Sequence, residues 1–214
     1  MAKFPEPPGV DVLRVIPPVL HRLPEATTVA RLCFAGGEHP TSWDRFRFFG
    51  PTTSRFDHQL RDGQGRAQVQ DRGIMYLATG PKAIPTCLAE VFQATRLIDR
   101  SARDPVLSGF RLAAPLVLLD LTGPFATAIG ASMAIHAGPR PRAQRWAQQL
   151  YAAYPDIDGL LYCASMYGNA PAVALFERGA RAIPKRPVFH RELRDTVMVG
   201  ILTETGRAIG YVVV

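Results

Sequence analysis

Strand-length apolar runs and helix-period stripes follow one another along this chain without the strict alternation that a doubly wound parallel sheet requires. Val29–Phe34, Ile74–Ala78, Pro115–Leu121, Asp158–Cys163 and Ala172–Phe176 read as strands, bounded by glycine, proline or polar turns. After Pro85, which suits a first helical turn, Leu88, Val91, Phe92, Thr95 and Ile98 recur at three- and four-residue steps. Residues Pro141–Tyr154 form a second such stripe, with Ala143, Trp146, Ala147, Leu150 and Tyr154 on one face. Thr196–Leu202 and Ile209–Val214 flank Thr203-Glu204-Thr205-Gly206 and read as a C-terminal β-hairpin. The pattern predicts a single α+β domain with curved, mixed or mostly antiparallel sheets and flanking helices.

The 214 residues suffice for one well-buried domain. Pro5, Pro7, Pro8, Pro17, Pro18 and Pro24 crowd residues 1–28, which predicts an extended arm draped over a domain of residues 29–214. Trp43, Phe46, Phe48 and Phe49 are expected mainly in the core, with one or two of the rings open to line a ligand cleft. The polar stretch Leu60–Asp71 is expected to be a mobile loop or hairpin tip. The best apolar run, Leu112–Ile135, is broken by Pro115, Asp120 and Pro124, so no membrane span is expected. The N-terminus lacks the apolar core of a signal peptide. Cys33, Cys87 and Cys163 are few, odd in number and set in apolar surroundings. Buried reduced thiols in a cytoplasmic protein are expected, with neither a disulfide frame nor a metal site.

The net charge of +7 suits anionic ligands, an acidic partner or simply a solvated surface. The arginines are scattered from Arg14 to Arg207, which argues against direct nucleic-acid binding.

The stretch Ser54–Gln93 carries the densest chemistry. Ser54-Arg55-Phe56-Asp57-His58 ends one segment, Tyr76 sits in the next strand, and Glu90 lies off the buried stripe of the following helix. An arginine, an aromatic and one carboxylate from three successive elements suit a ligand that is anionic at one end and becomes cationic at the other. NAD fits that description: its diphosphate is negative, and its ribose becomes an oxocarbenium ion when nicotinamide leaves. Each residue also has a plain structural role open to it. Glu90 fits a solvated helix surface, Arg55 a salt bridge with Asp57 or Asp71, Tyr76 the core, and Ser165 an ordinary turn. His58 and Asn169 are minor candidates, His58 as a base or phosphate ligand.

Arg31, the Arg55-Phe56-Asp57 cluster, Gly73–Ala78 before Glu90, and Asp158–Ser165 followed by Ala174-Leu175-Phe176 together resemble the RES-domain family, from about Val29 to about Pro184. The resemblance implies a fold related to ADP-ribosyltransferases and an enzyme that cleaves the nicotinamide–ribose bond of NAD by phosphorolysis or hydrolysis. NAD is then the substrate and inorganic phosphate a co-substrate. It also implies the toxin half of a toxin–antitoxin pair, with an antitoxin carrying a helix-turn-helix region; a homodimer stays open. Carried over by position, Arg31 and Arg55 grip phosphates, Tyr76 contacts nicotinamide, Glu90 is the acid, and Ser165 binds phosphate or positions the nucleophile. Transfer of ADP-ribose to a protein, and a non-catalytic basic binding module, are the alternatives.

Overall fold

The computed structural model describes residues 4–214. Its elements are, in order, α1 (Val10–Arg14), β1 (Leu20–Leu23), β2 (Thr28–Phe34), β3 (Arg47–Gly50), β4 (Gln68–Thr79), α2 (Ala83–Val91), β5 (Leu97–Ile98), β6 (Pro105–Arg111), β7 (Leu116–Asp120), α3 (Phe125–Ala128), α4 (Arg140–Ala153), β8 (Gly159–Cys163), β9 (Pro171–Phe176), β10 (Phe189–Glu192), α5 (Val199–Ile209) and β11 (Val212–Val213).

Among the described residues, nine strands form one sheet in the order β1-β7-β8-β9-β4-β2-β6-β10, with β3 attached to β4. Only the β7–β8 pair is parallel within it; β5 and β11 make a separate parallel pair. This is the mixed α+β arrangement that the irregular strand–helix order predicts. Alternation along the strands sorts the core onto two faces. Ile74, Ala174 and Phe176 pack beneath α4 with Trp146 and Leu150. Ala30, Leu32, Ala78 and Leu107 pack beneath α2 and α5. Met75, Leu77, Val173 and Leu175 point to the other face. No helix among the described residues is long and apolar enough to cross a membrane.

The N-terminal segment differs from the extended arm that its prolines suggest. Val10–Arg14 is helical, with Leu13 fully buried and its carbonyl accepting from the Tyr154 hydroxyl at 2.8 Å. Leu20–Leu23 joins the sheet edge against β7. The prolines fall outside these two elements, where their missing donors break no helix or strand hydrogen bond.

Residues 199–209 are a helix, not the first arm of a hairpin. Leu202, Thr205 and Gly206 are buried, and the chain leaves the helix at Gly210 with φ 71°. The turn-like composition of 203–206 is outweighed by packing against α2 and β11, because tertiary burial overrides weak local propensity.

The helix after Pro85 stops earlier than its periodicity implies. Gln93 Nε2 donates to the Glu90 carbonyl at 2.6 Å, occupying an acceptor that another turn would use. Arg96 then turns left-handed, and Leu97–Ile98 becomes a strand. The 60–71 stretch tightens at a turn in which Asp62 Oδ1 accepts from the amides of Gln64 and Arg66; β4 already begins at Gln68.

Candidate active site

A cleft of about 890 Å³ opens where β2 and β3 part. Both strands pair with the same edge of β4: Val29 and Ala30 with Thr79 and Ala78, and Arg47 to Gly50 with Ile74 to Gln68. The other edge of β4 belongs to β9. Between the two diverging strands, Met75-Tyr76-Leu77 has no partner on the cleft side. The gap lets side chains from both faces of the sheet meet. By register Arg31 leaves β2 on the face opposite Tyr76, yet both line the same cleft.

Arg31, Arg55, Tyr76 and Glu90, grouped from the sequence, all line this space. Arg31 is buried, and its Nη1 donates to the carbonyls of Trp43 and Arg45 at 3.0 and 2.8 Å. Burial pulls its pKa down to about 10, so it stays charged at neutral pH. Arg55 Nη1 donates to Gly138 O at 2.7 Å. Its pKa is lowered by burial and by the neighbouring Arg140, while Glu90 opposes the shift. Neither Arg31 nor Arg55 has a carboxylate ion-pair partner among the described residues: Asp57, the expected partner of Arg55, pairs with Arg47 at 2.6 Å. The lining holds six arginines (Arg31, Arg45, Arg47, Arg55, Arg103, Arg140) against two glutamates (Glu38, Glu90). Buried guanidinium groups without counter-ions favour an anionic occupant.

Glu90, half-buried on the last turn of α2, is held from the β8–β9 loop. Met166 N donates to its Oε1 at 3.1 Å, and Ser165 Oγ lies 3.4 Å from the same atom. Ser165 is therefore beside Glu90, exposed at the rim and not in the main lining. A recess of about 60 Å³ shares Leu32, Tyr76, Glu90, Val91 and Tyr162 with the cleft.

The Tyr76 hydroxyl donates to Asp57 Oδ1 at 2.9 Å and accepts from Phe56 N at 3.0 Å. Burial, with Asp57 beside it, raises its pKa well above the ordinary phenol value. Its hydroxyl is thus committed to the wall, leaving the ring to face the cleft. Asp57, fully buried, also accepts from Thr52 N and Thr52 Oγ1 at 2.7 and 2.8 Å.

His58 does not reach the cleft. It is fully buried, stacked against Tyr151 and Phe176 at 4.4 Å each, with Nε2 3.5 Å from Glu177 Oε2. Phe56–Gln59 is buried, so the expected phosphate or base role of His58 loses its access. Asn169, another minor candidate, is exposed outside the lining, with φ 57°. The aromatic run divides: Trp43 packs on Phe110 at 5.3 Å, whereas Phe46, Phe48 and Phe49 line the cleft, the last two 40% and 39% exposed, so more of the rings face the ligand space than the one or two allowed for. Arg47, Arg103, Arg140 and Tyr162 were not singled out from the sequence, although Tyr162 lies within the 158–165 motif. Among the described residues, no group of three or more His, Cys, Asp or Glu side chains is placed to hold a metal ion.

A family model for the RES domain matches residues 31–195. The chain belongs to the RES domain family. The match includes every residue that lines the cleft of this RES domain, from Arg31 to Tyr162. A chain of the M. tuberculosis MbcT–MbcA toxin–antitoxin complex has a similar fold, with a TM-score of 0.57 at 16% identity, covering 92% of this chain and 96% of that one. At this identity the likeness is one of fold. Comparison with curated proteins gave no match.

Proposed function

We propose that this RES domain is an NAD-consuming enzyme that breaks the nicotinamide–ribose bond. The observation that carries the reading is the Glu90 carboxylate lining the same cleft as Arg31, Arg55 and Arg140, none of which has a carboxylate ion-pair partner among the described residues. Such a cleft suits a molecule with a diphosphate at its centre and a ribose that becomes cationic during reaction. Arg31, Arg55 and Arg140 take the phosphates. Glu90 faces the ribose, where its negative charge favours the oxocarbenium-like transition state. The glycosidic C–N bond breaks with its electron pair leaving on nicotinamide, which departs neutral. Phosphate or water then adds at the ribose carbon; with water, a proton is released to solvent. Ser165, next to Glu90, is placed to orient that nucleophile.

The fold shared with a chain from a toxin–antitoxin complex supports a role as the toxin of such a pair, with an antitoxin as its partner. The test of the activity is nicotinamide release from NAD by the purified chain, with and without inorganic phosphate. Release only with phosphate marks phosphorolysis, release in both marks hydrolysis, and label retained on protein marks ADP-ribosyl transfer. Intact NAD in both reactions refutes the reading.

A further inference from the structure

The outer part of the cleft carries a feature that the bond-breaking chemistry does not use. Arg103 lays its guanidinium over the Phe34 ring, with Cζ 3.9 Å from the centroid. Among the described residues that guanidinium has no carboxylate partner and no hydrogen-bond acceptor. The backbone holds it there: Arg103 and Asp104 are both left-handed, with φ 63° and 49°, a region that side chains disfavour. The turn is pinned to the start of the β2–β3 connection, where Ala35 N donates to Asp104 O and Gly36 N to Arg103 O, at 2.9 and 3.0 Å. Phe34 is braced from behind by the edge of Phe92, with centroids 6.4 Å apart.

The β3 side of the cleft is also aromatic. Phe49, on β3, stands 5.9 Å from the His39 ring, and both line the cleft with Phe34 and Arg103. Phe34 and Arg103 belong to the β2 side, Phe49 to the β3 side. A cation plane on one wall and open aromatic faces on the other suit a flat, electron-rich heterocycle, which stacks on both without needing directional hydrogen bonds.

We propose that these two walls form a purine subsite, which holds the adenine base of the dinucleotide while Arg31, Arg55 and Arg140 hold its diphosphate. The assignment rests on the NAD-consuming reading for the rest of the ligand, but the base-stacking property stands apart from the chemistry. Arg103 is a binding residue here and touches no reacting atom.

The test is equilibrium titration of the full chain with AMP and with ribose 5-phosphate, which carry the same phosphoester and differ by the base. AMP is expected to bind about tenfold more tightly, the usual scale for stacking one base. At two exposed positions, Phe49→Ala is expected to reduce that ratio severalfold while leaving ribose 5-phosphate affinity unchanged, and Arg103→Ala to reduce the ratio severalfold on top of a small fall in affinity for both ligands, because it also removes one of the cleft's positive charges. The ribose 5-phosphate arm thereby reports that the variants remain folded. Equal affinity of the unaltered chain for the two ligands, or an unchanged ratio in either variant, overturns the subsite. Neither ligand contains nicotinamide, so this result is independent of turnover: intact NAD together with a preserved AMP preference would remove the enzymatic reading and leave the purine subsite standing.

Discussion

The Met166 amide donates to Glu90 Oε1 at 3.1 Å, tying the β8–β9 loop to the end of α2 across 76 positions of sequence. Gln93 Nε2 lies 3.5 Å from the other oxygen, so the carboxylate is oriented from both sides. Glu90→Gln keeps the shape and removes the charge. It is expected to lower the rate of nicotinamide release on the order of 10²-fold while leaving the melting temperature nearly unchanged. An undiminished rate would take the central role away from Glu90.

Arg55 sits beside Arg140 without a carboxylate of its own. Arg55→Ala should weaken ADP-ribose binding about tenfold, equivalent to ~1.4 kcal/mol. The salt dependence of binding should become shallower, because one phosphate-directed charge is gone. Titration at several sodium chloride concentrations reads both effects.

Asp57 is fully buried and accepts from Arg47, Thr52 and Tyr76. An asparagine there turns donors toward donors and leaves Arg47 without its partner. Asp57→Asn is expected to cost about 3 kcal/mol in urea unfolding. Tyr76→Phe, which loses one hydroxyl and leaves Phe56 N without its acceptor, should cost about 1 kcal/mol. A reversed order of the two would contradict the wall geometry.

Burial pushes the His58 pKa below its ordinary value, and Glu177 and Asp57 only partly offset this, while Arg72 adds to the depression. His136 is lowered chiefly by burial as well. The unfolded chain therefore takes up these protons first as pH falls. Stability is complete above the ordinary histidine value of about 6.5 and is lost as pH drops through it toward the lower folded values. His58→Leu should reduce the fall in melting temperature between neutral pH and one unit below that value. An identical slope in the variant would assign the loss to other groups.

Expression of the chain in growing bacterial cells is expected to arrest growth, and Glu90→Gln is expected to relieve the arrest at equal protein level. Equal arrest by both forms would separate toxicity from the proposed chemistry.

The sequence by itself determined strands over Val29–Phe34, Pro115–Leu121, Asp158–Cys163 and Ala172–Phe176, each within a residue of the observed bounds, and the α4 helix, because hydrophobic patterning at periods of 2 and 3.6 is a local property. It also placed Glu90 off the packed stripe of α2, and its likeness to a family brought together Arg31, Arg55, Tyr76 and Glu90 before any pairing was known. What it did not determine depends on partners far away in the chain. Residues 199–209 became helical because α2 and β11 offered a surface to bury against, and His58 turned inward because Tyr151 and Phe176 made a place for its ring. The cleft itself is a tertiary decision. It exists because β2 and β3 compete for one edge of β4 and separate, and that gap lets Arg31 and Tyr76, which start on opposite faces of the sheet, meet in one space with Arg103 from a distant turn and Arg140 from the start of α4. Side-chain direction along a strand is fixed by its nearest neighbours, whereas the branching of a sheet is fixed by which non-local pairings win, and no window of sequence contains that competition.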